Sequence, residues 1–152
     1  MVSVAHALTG SFIAHTLPYP WIYIPLAIAS HFVLDYIHHY DIGVAMRQHH
    51  FSKWQIVFCE SLDLLVSAGL IILIWRQSPS HLDLHVWSGA FFGILPDILE
   101  TTDYFFERPL PILRPLYWLH DRFHHSTTDV FWGSLPQIIL VSIIAVVTIF
   151  SW

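Results

Sequence analysis

The sequence predicts an all-α protein of one domain over residues 1–152, a polytopic membrane bundle of five to six helices. Three observations carry that expectation. Hydrophobic residues are 55% of the chain and charged residues 11%, against roughly 25% charged in an average soluble domain. Six Lys and Arg with eleven Asp and Glu are too few to cover a water-facing surface. The mean hydropathy is +0.59, and two long stretches, Leu64 to Trp75 and Ile138 to Phe150, carry no charge. The same composition excludes other classes. Aromatic residues at 16% argue against disorder, a single cysteine, Cys59, against a disulfide scaffold, and a net charge of −5 against nucleic acid as a partner.

Cutting at Pro, Gly and charge clusters gives helical segments at 3–17, 20–40, 53–76, 83–107, 112–126 and 130–152. The first turn holds no Lys or Arg, and His6 and His15 interrupt its apolar run, so no cleaved leader is expected. This segment is short for a full span. The second, at about 1.5 Å per residue, is long enough for a hydrocarbon core of about 30 Å. The third and sixth contain the two charge-free runs and read as membrane-spanning. The fourth crosses between them, with Pro96 expected to kink it, as Pro136 is expected to kink the sixth. The fifth is amphipathic and is placed at the interface. Asp129 stands where an N-cap for the sixth belongs.

With segments two, three and four crossing, loops 41–53 and 107–129 share one side. That side holds Arg47, Lys53, Arg108, Arg114 and Arg122, and the other holds Arg76. By the positive-inside rule the five-cation side, with the N-terminus, is cytoplasmic. This topology gathers the candidate chemistry at one depth. His6 begins the first segment on that side, while Asp35, His38 and His39 end the second and Asp97 with Glu100 end the fourth. His120, His124 and His125 lie in the fifth, and Glu60 and Asp63 reach the same region from deeper in the third.

Twelve histidines outnumber the six Lys and Arg, and histidine is the commonest metal ligand. At about 100° per residue, His31, Asp35, His38 and His39 fall on one helical face, so that successive turns present imidazole and carboxylate. His120 and His124 repeat the i, i+4 spacing, and Asp97 and Glu100 stand at i, i+3. A divalent cation needs several such donors aimed at one point. The competing reading of His31 to His39 is a polar helix seam, and that of Asp97 and Glu100 a salt bridge to Arg122 or Arg108. Carboxylates at membrane depth are costly to bury and mark function, which favours the site. His15, His81 and His85 read as core or interfacial histidines, and His49 and His50 as headgroup-facing.

Four stretches carry a resemblance to a known family: "HALTG" at 6–10, "SHFVLDYIHHYD" at 30–41, "GILPDILE" at 93–100 and "HDRFHHS" at 120–126. They resemble the small bacterial predicted membrane-bound metal-dependent hydrolases, which are distantly similar to zinc-dependent phospholipase C proteins. The resemblance implies a bacterial cell-membrane protein with His6, His31, Asp35, Asp97, His120 and His125 as metal ligands, and His39 and Asp41 as weaker matches. Helical spacing pairs His120 with His124, whereas the motif pairs it with His125, and both stay open.

The resulting expectation is a site for one or two divalent ions, most simply zinc, at the cytoplasmic boundary. Asp97 or Glu100 would orient a ligand histidine or take a proton, and Arg114 or Arg122 would hold the phosphate of a lipid-like phosphoester or ester substrate. Two alternatives use the same residues. "YWLHDRFHHS" from Tyr117 locally resembles the histidine box of membrane di-iron hydroxylases and desaturases, with iron as cofactor. The histidines could also serve a non-enzymatic haem-binding, metal-binding or transport protein.

Overall fold

The computed structural model describes residues 1–76, 83–106 and 111–150, the side chains of 102–106 excepted. Arg108, one of the cations used above to orient the chain, and His81 lie outside these residues. The described chain is helical throughout apart from turns and one two-residue strand pair. The helices are α1 (Ser3–Thr16), α2 (Pro20–Asp35), α3 (Ile42–Gln48), α4 (Lys53–Trp75), α5 (Leu84–Phe106), α6 (Arg114–Phe123) and α7 (Val130–Phe150). A 3-10 turn at Pro111–Leu113 leads into α6.

α1 is the central helix, packed along α5 and also against α2, α4 and α7. Glycine makes the α1 and α5 approach possible. A methyl group on Gly10 or on Gly89 would overlap the other residue's carbonyl oxygen, and one on Gly93 would overlap the carbonyl of His6. Small residues at a helix crossing let the backbones touch in this way. Beside the crossing, Ala7, Leu8, Ile74, Trp75, Val86 and Ile144 form the main buried cluster. The start of α1 has no cap of its own, and the Ser3 N–H donates to the Asp63 carboxylate of α4. Asp63 thus closes α1, whereas the expectation had it lining the cavity.

Local signals set several ends. Ser52 and Gln55 form a capping box at the start of α4. Asp41 accepts the Val44 N–H at 2.7 Å, and Asp129 accepts the Trp132 N–H at 3.0 Å, as expected of an N-cap.

Two segment ends and one loop differ from the expectation. α2 stops at Asp35 and not near 40, because the chain turns extended and His39–Tyr40 pairs in parallel with Ser126–Thr127. The His39 N–H donates to the His125 carbonyl at 3.3 Å and the His125 N–H to the Asp35 carbonyl at 2.9 Å, so long-range bonds replace helical ones. His38 and His39 therefore do not share the α2 face with His31 and Asp35. α6 likewise ends at Phe123, leaving His124 and His125 beyond it. The expected loop 41–53 holds α3. At sixteen residues, or about 24 Å, α2 is shorter than the span it was assigned. Among the described residues, α4 and α7 are long and apolar enough to cross a membrane.

Buried Gln137 of α7 ties the strand pair to the bundle. Its Nε2 donates to the Tyr40 carbonyl at 2.8 Å, and its Oε1 accepts the Val2 N–H at 3.0 Å. Gly133, one turn earlier, lies so close to Tyr40 that a methyl would strike its backbone nitrogen. These contacts fix where His39, and so the polar cluster, sits.

Candidate metal centre

Four side chains from three helices converge at the end of the bundle where α2 stops. They are His31 and Asp35 of α2, Asp97 of α5 and His120 of α6. His31 Nε2 lies 3.1 Å from Asp35 Oδ2 and 3.3 Å from Asp97 Oδ1. His120 Nε2 lies 3.3 Å and 3.4 Å from the same two oxygens. His31 and Asp35 are fully buried and His120 nearly so.

Ring tautomers decide what these contacts are. His31 Nδ1 is 2.9 Å from the Gly93 carbonyl, which can only accept, so Nδ1 carries the proton. His120 Nδ1 is 2.9 Å from Glu100 Oε2 and donates in the same sense. In each neutral ring Nε2 then presents a lone pair to the carboxylate oxygens. His31 Nε2, Asp35 Oδ2 and His120 Nε2 are buried and make no directed hydrogen bond. Four acceptors face one another, which is unfavourable until a cation or extra protons enter between them. Tetrahedral zinc with bonds of about 2.0–2.2 Å holds neighbouring donors about 3.4 Å apart, close to the four separations above. The group can hold a metal ion.

A second group adjoins the first through Asp35. Its Oδ1 lies 3.7 Å from His39 Nε2, which is 3.2 Å from His124 Nε2, and His124 Nε2 is 3.2 Å from Asp41 Oδ2. His39 Nδ1 donates to the Ile37 carbonyl at 2.8 Å, so its Nε2 also offers a lone pair inward. Asp35, His39 and His124 have the arrangement of a further cation group. The Met1 ammonium lies 2.9 Å from Asp35 Oδ1 and 3.6 Å from Asp41 Oδ2, so this group already receives positive charge.

The expected ligands are thus sorted by position. His31, Asp35, Asp97 and His120 meet at one point, and His39 with His124 meet at the adjoining one. His6 stacks on His31 at 4.0 Å and places Nε2 3.1 Å from Asp35 Oδ1, holding the carboxylate from behind. His125 packs against Tyr36 and His38 and joins neither group. His38 is exposed. Of the two carboxylates expected to orient a histidine, Glu100 does so, while Asp97 contributes to the donor cluster itself.

A cavity of about 270 Å³ opens onto Asp97, His120 and His124 and is lined also by Asp41 and Glu60. Arg47 of α3 lines it too, whereas Arg114 and Arg122 are exposed on α6 and do not. Sequence reasoning gave Arg47 and Asp41 no leading part in the site. Asp41 entered only as a weaker match to the family motif, and its approach to His124 depends on the strand pair, which leaves no periodicity.

Burial lowers the proton affinity of both His120 and His39, with opposite outcomes. For His120, the contacts with Asp35, Asp97 and Glu100 outweigh burial and push it up to about 12. For His39, the Met1 ammonium adds to burial and brings it down to about 4. Asp41 is held below the usual carboxylate range, because His124, the Met1 ammonium and the Val44 N–H outweigh its burial. At neutral pH the ion-free centre therefore keeps a proton on His120 and none on His39. An incoming cation must displace the His120 proton. We expect zinc affinity to rise with pH, at least tenfold per unit through the neutral range. Isothermal titration in buffers of different ionisation enthalpy checks this, with at least one proton released per ion.

Comparison with family models, with curated proteins and with solved structures finds no match to this chain.

Proposed function

We propose that the protein is a metal-dependent hydrolase of a bacterial cell membrane, multi-pass, cleaving a phosphoester or ester of a lipid-like substrate at the cytoplasmic boundary. The observation that carries the reading is the meeting of four inward-facing donor atoms from His31, Asp35, Asp97 and His120, two of them on rings locked by Gly93 and Glu100. Zinc is the simplest ion for the two-imidazole, two-carboxylate set, and a second ion at Asp35, His39 and His124 would have to displace the Met1 ammonium from Asp35. A divalent ion there would polarise the scissile phosphoryl or carbonyl oxygen and acidify water.

The chain's own residues supply the rest. Glu100 holds His120 in its donating tautomer. Glu60 faces the centre from α4 across the cavity and is the carboxylate placed to hold a proton. Arg47 lines the cavity and can bind a phosphate oxygen. Membrane placement is supported by α4 and α7 and by their exposed Phe58, Leu65, Ile139 and Val146. The described cations favour the cytoplasmic side for the site, since Arg47, Lys53, Arg114 and Arg122 accompany it and Arg76 ends α4 far from it.

The test is turnover of a fluorogenic phospholipid by detergent-purified protein loaded with zinc or, anaerobically, with iron. Cleavage with zinc and without oxygen is expected. Glu60→Gln should lose about 10²–10⁴ in rate while keeping its zinc. A product that forms only with iron and oxygen would replace hydrolysis by hydroxylation.

A further inference from the structure

α4 and α5 are joined through α1 at the end of the bundle remote from the metal centre. There Ile71, Ile74 and Trp75 share a buried cluster with Val86 and Ala90. Both helices lean on α1, and among the described residues α5 has no extended packing along α4. Toward the metal centre the cavity separates them. Ile56, Val57 and Leu64 line its α4 wall, and Ile94 and Ile98 its α5 wall.

This slot reaches the outer surface of the bundle. Leu64 is 40% exposed and Ile98 38% exposed, although both line the cavity, so they form an aliphatic side of its opening, beside exposed Ser61, Arg47 and Thr101. Outward from Leu64, the α4 surface is Phe58, Leu62 and Leu65, all exposed. The aliphatic side of the opening therefore adjoins an apolar flank of a helix able to cross a membrane. From Ile56 to Leu64 the slot runs about 12 Å along α4 at about 1.5 Å per residue. Its inner end is polar, with Glu60, Asp97 and His120, and its outer end is aliphatic. An occupant that matches both ends has a polar group at the donor cluster and a hydrocarbon stem leaving sideways.

We propose that this slot is a lateral portal through which the acyl chain of a glycerophospholipid enters from the bilayer. The headgroup side, with Arg47 at hand for its phosphate, is thereby brought to the metal centre. The assignment rests on the proposed hydrolase reading for the chemistry at the inner end, while the portal itself is read from the two helices. The substrate stays anchored in the leaflet during its visit, so the protein acts on lipid in place and not on a molecule dissolved in the cytosol.

The experiment uses the full chain in phosphatidylcholine vesicles containing phosphatidylglycerol with a diazirine on one acyl chain. After photolysis, labelled peptides are mapped by mass spectrometry and bound zinc is measured on the same samples. Labelling concentrated on residues 56–65 and 94–101 is expected, and Leu64→Trp with Ile98→Trp should reduce it roughly tenfold by filling the opening. Ser61→Trp, at an exposed position of the same rim, should reduce it in the same direction if the double variant does not fold. Labelling spread evenly over the outer faces of α4 and α7, and unaffected by these substitutions, overturns the portal. Zinc content separates the two readings. Protein that labels at the slot yet binds no zinc refutes the hydrolase and keeps the portal, and the reverse pattern refutes the portal alone.

Discussion

His31→Ala and His120→Ala are each expected to reduce zinc from about one ion per chain to a trace at micromolar free metal. Each substitution removes one of four donors and leaves two carboxylates facing one another in a buried space, while the neighbouring imidazoles, His6 beside His31 and His124 beside His120, are held by Asp35 and Asp41. Loss of a residue that only orients a ligand costs about 10–100-fold in metal affinity. Glu100→Gln should fall in that range, and loss of a ligand should exceed it. Asp35→Asn should be as severe as either histidine change, since both its oxygens are engaged. His38→Ala and His125→Ala are the controls and should keep full zinc. Elemental analysis of detergent-purified protein decides the matter, and wild-type zinc in both His31→Ala and His120→Ala would remove the assigned centre.

Gly89→Leu should be the most damaging substitution away from the centre. Its side chain would have to occupy space held by the Gly10 carbonyl and the Ala14 methyl. Backbone cannot yield as a flexible side chain does, so α1 and α5 must separate. Overpacking of a close-fitting core costs about 1–3 kcal/mol, and a clash with backbone belongs at or above the upper end. Gly69→Leu on α4, where a methyl meets nothing within 4 Å, is the matched control and should stay within about 0.5 kcal/mol of wild type. Thermal unfolding in detergent compares the two. Zinc affinity should fall with Gly89→Leu as well, because the Gly93 carbonyl one turn along the same helix fixes the His31 ring.

Much of the helical architecture was legible because its causes are local. The charge-free runs announced α4 and α7, and the spacing of His31 and Asp35 announced one donor pair. Asp129 announced the start of α7. The rest depends on contacts distant in sequence. Nothing between Asp35 and Tyr40 forecasts that the chain leaves the helix, since the partner that draws it out is Ser126–Thr127, far along the sequence. That pairing brings His39 beside His124 and defeats the single-face reading of His31 to His39. The spacing argument joined His120 to His124 and the motif joined it to His125. Both histidines lie past the last turn of α6, and the cap bond from the His124 N–H to the His120 carbonyl keeps the nearer one at the centre. Arg47 became visible only once α3 was seen to line the cavity.

Asp35 has one oxygen in each of two neighbouring donor groups, Oδ2 toward His31 and His120, Oδ1 toward His39, His6 and the Met1 ammonium. Charge drawn to one side of that carboxylate is withdrawn from the other, so occupancy of the two sides is thermodynamically linked. By reciprocity, whatever factor the first cation imposes on the second, the second imposes on the first. Cations held on both sides would therefore bind with coupled affinities, through a single buried acid.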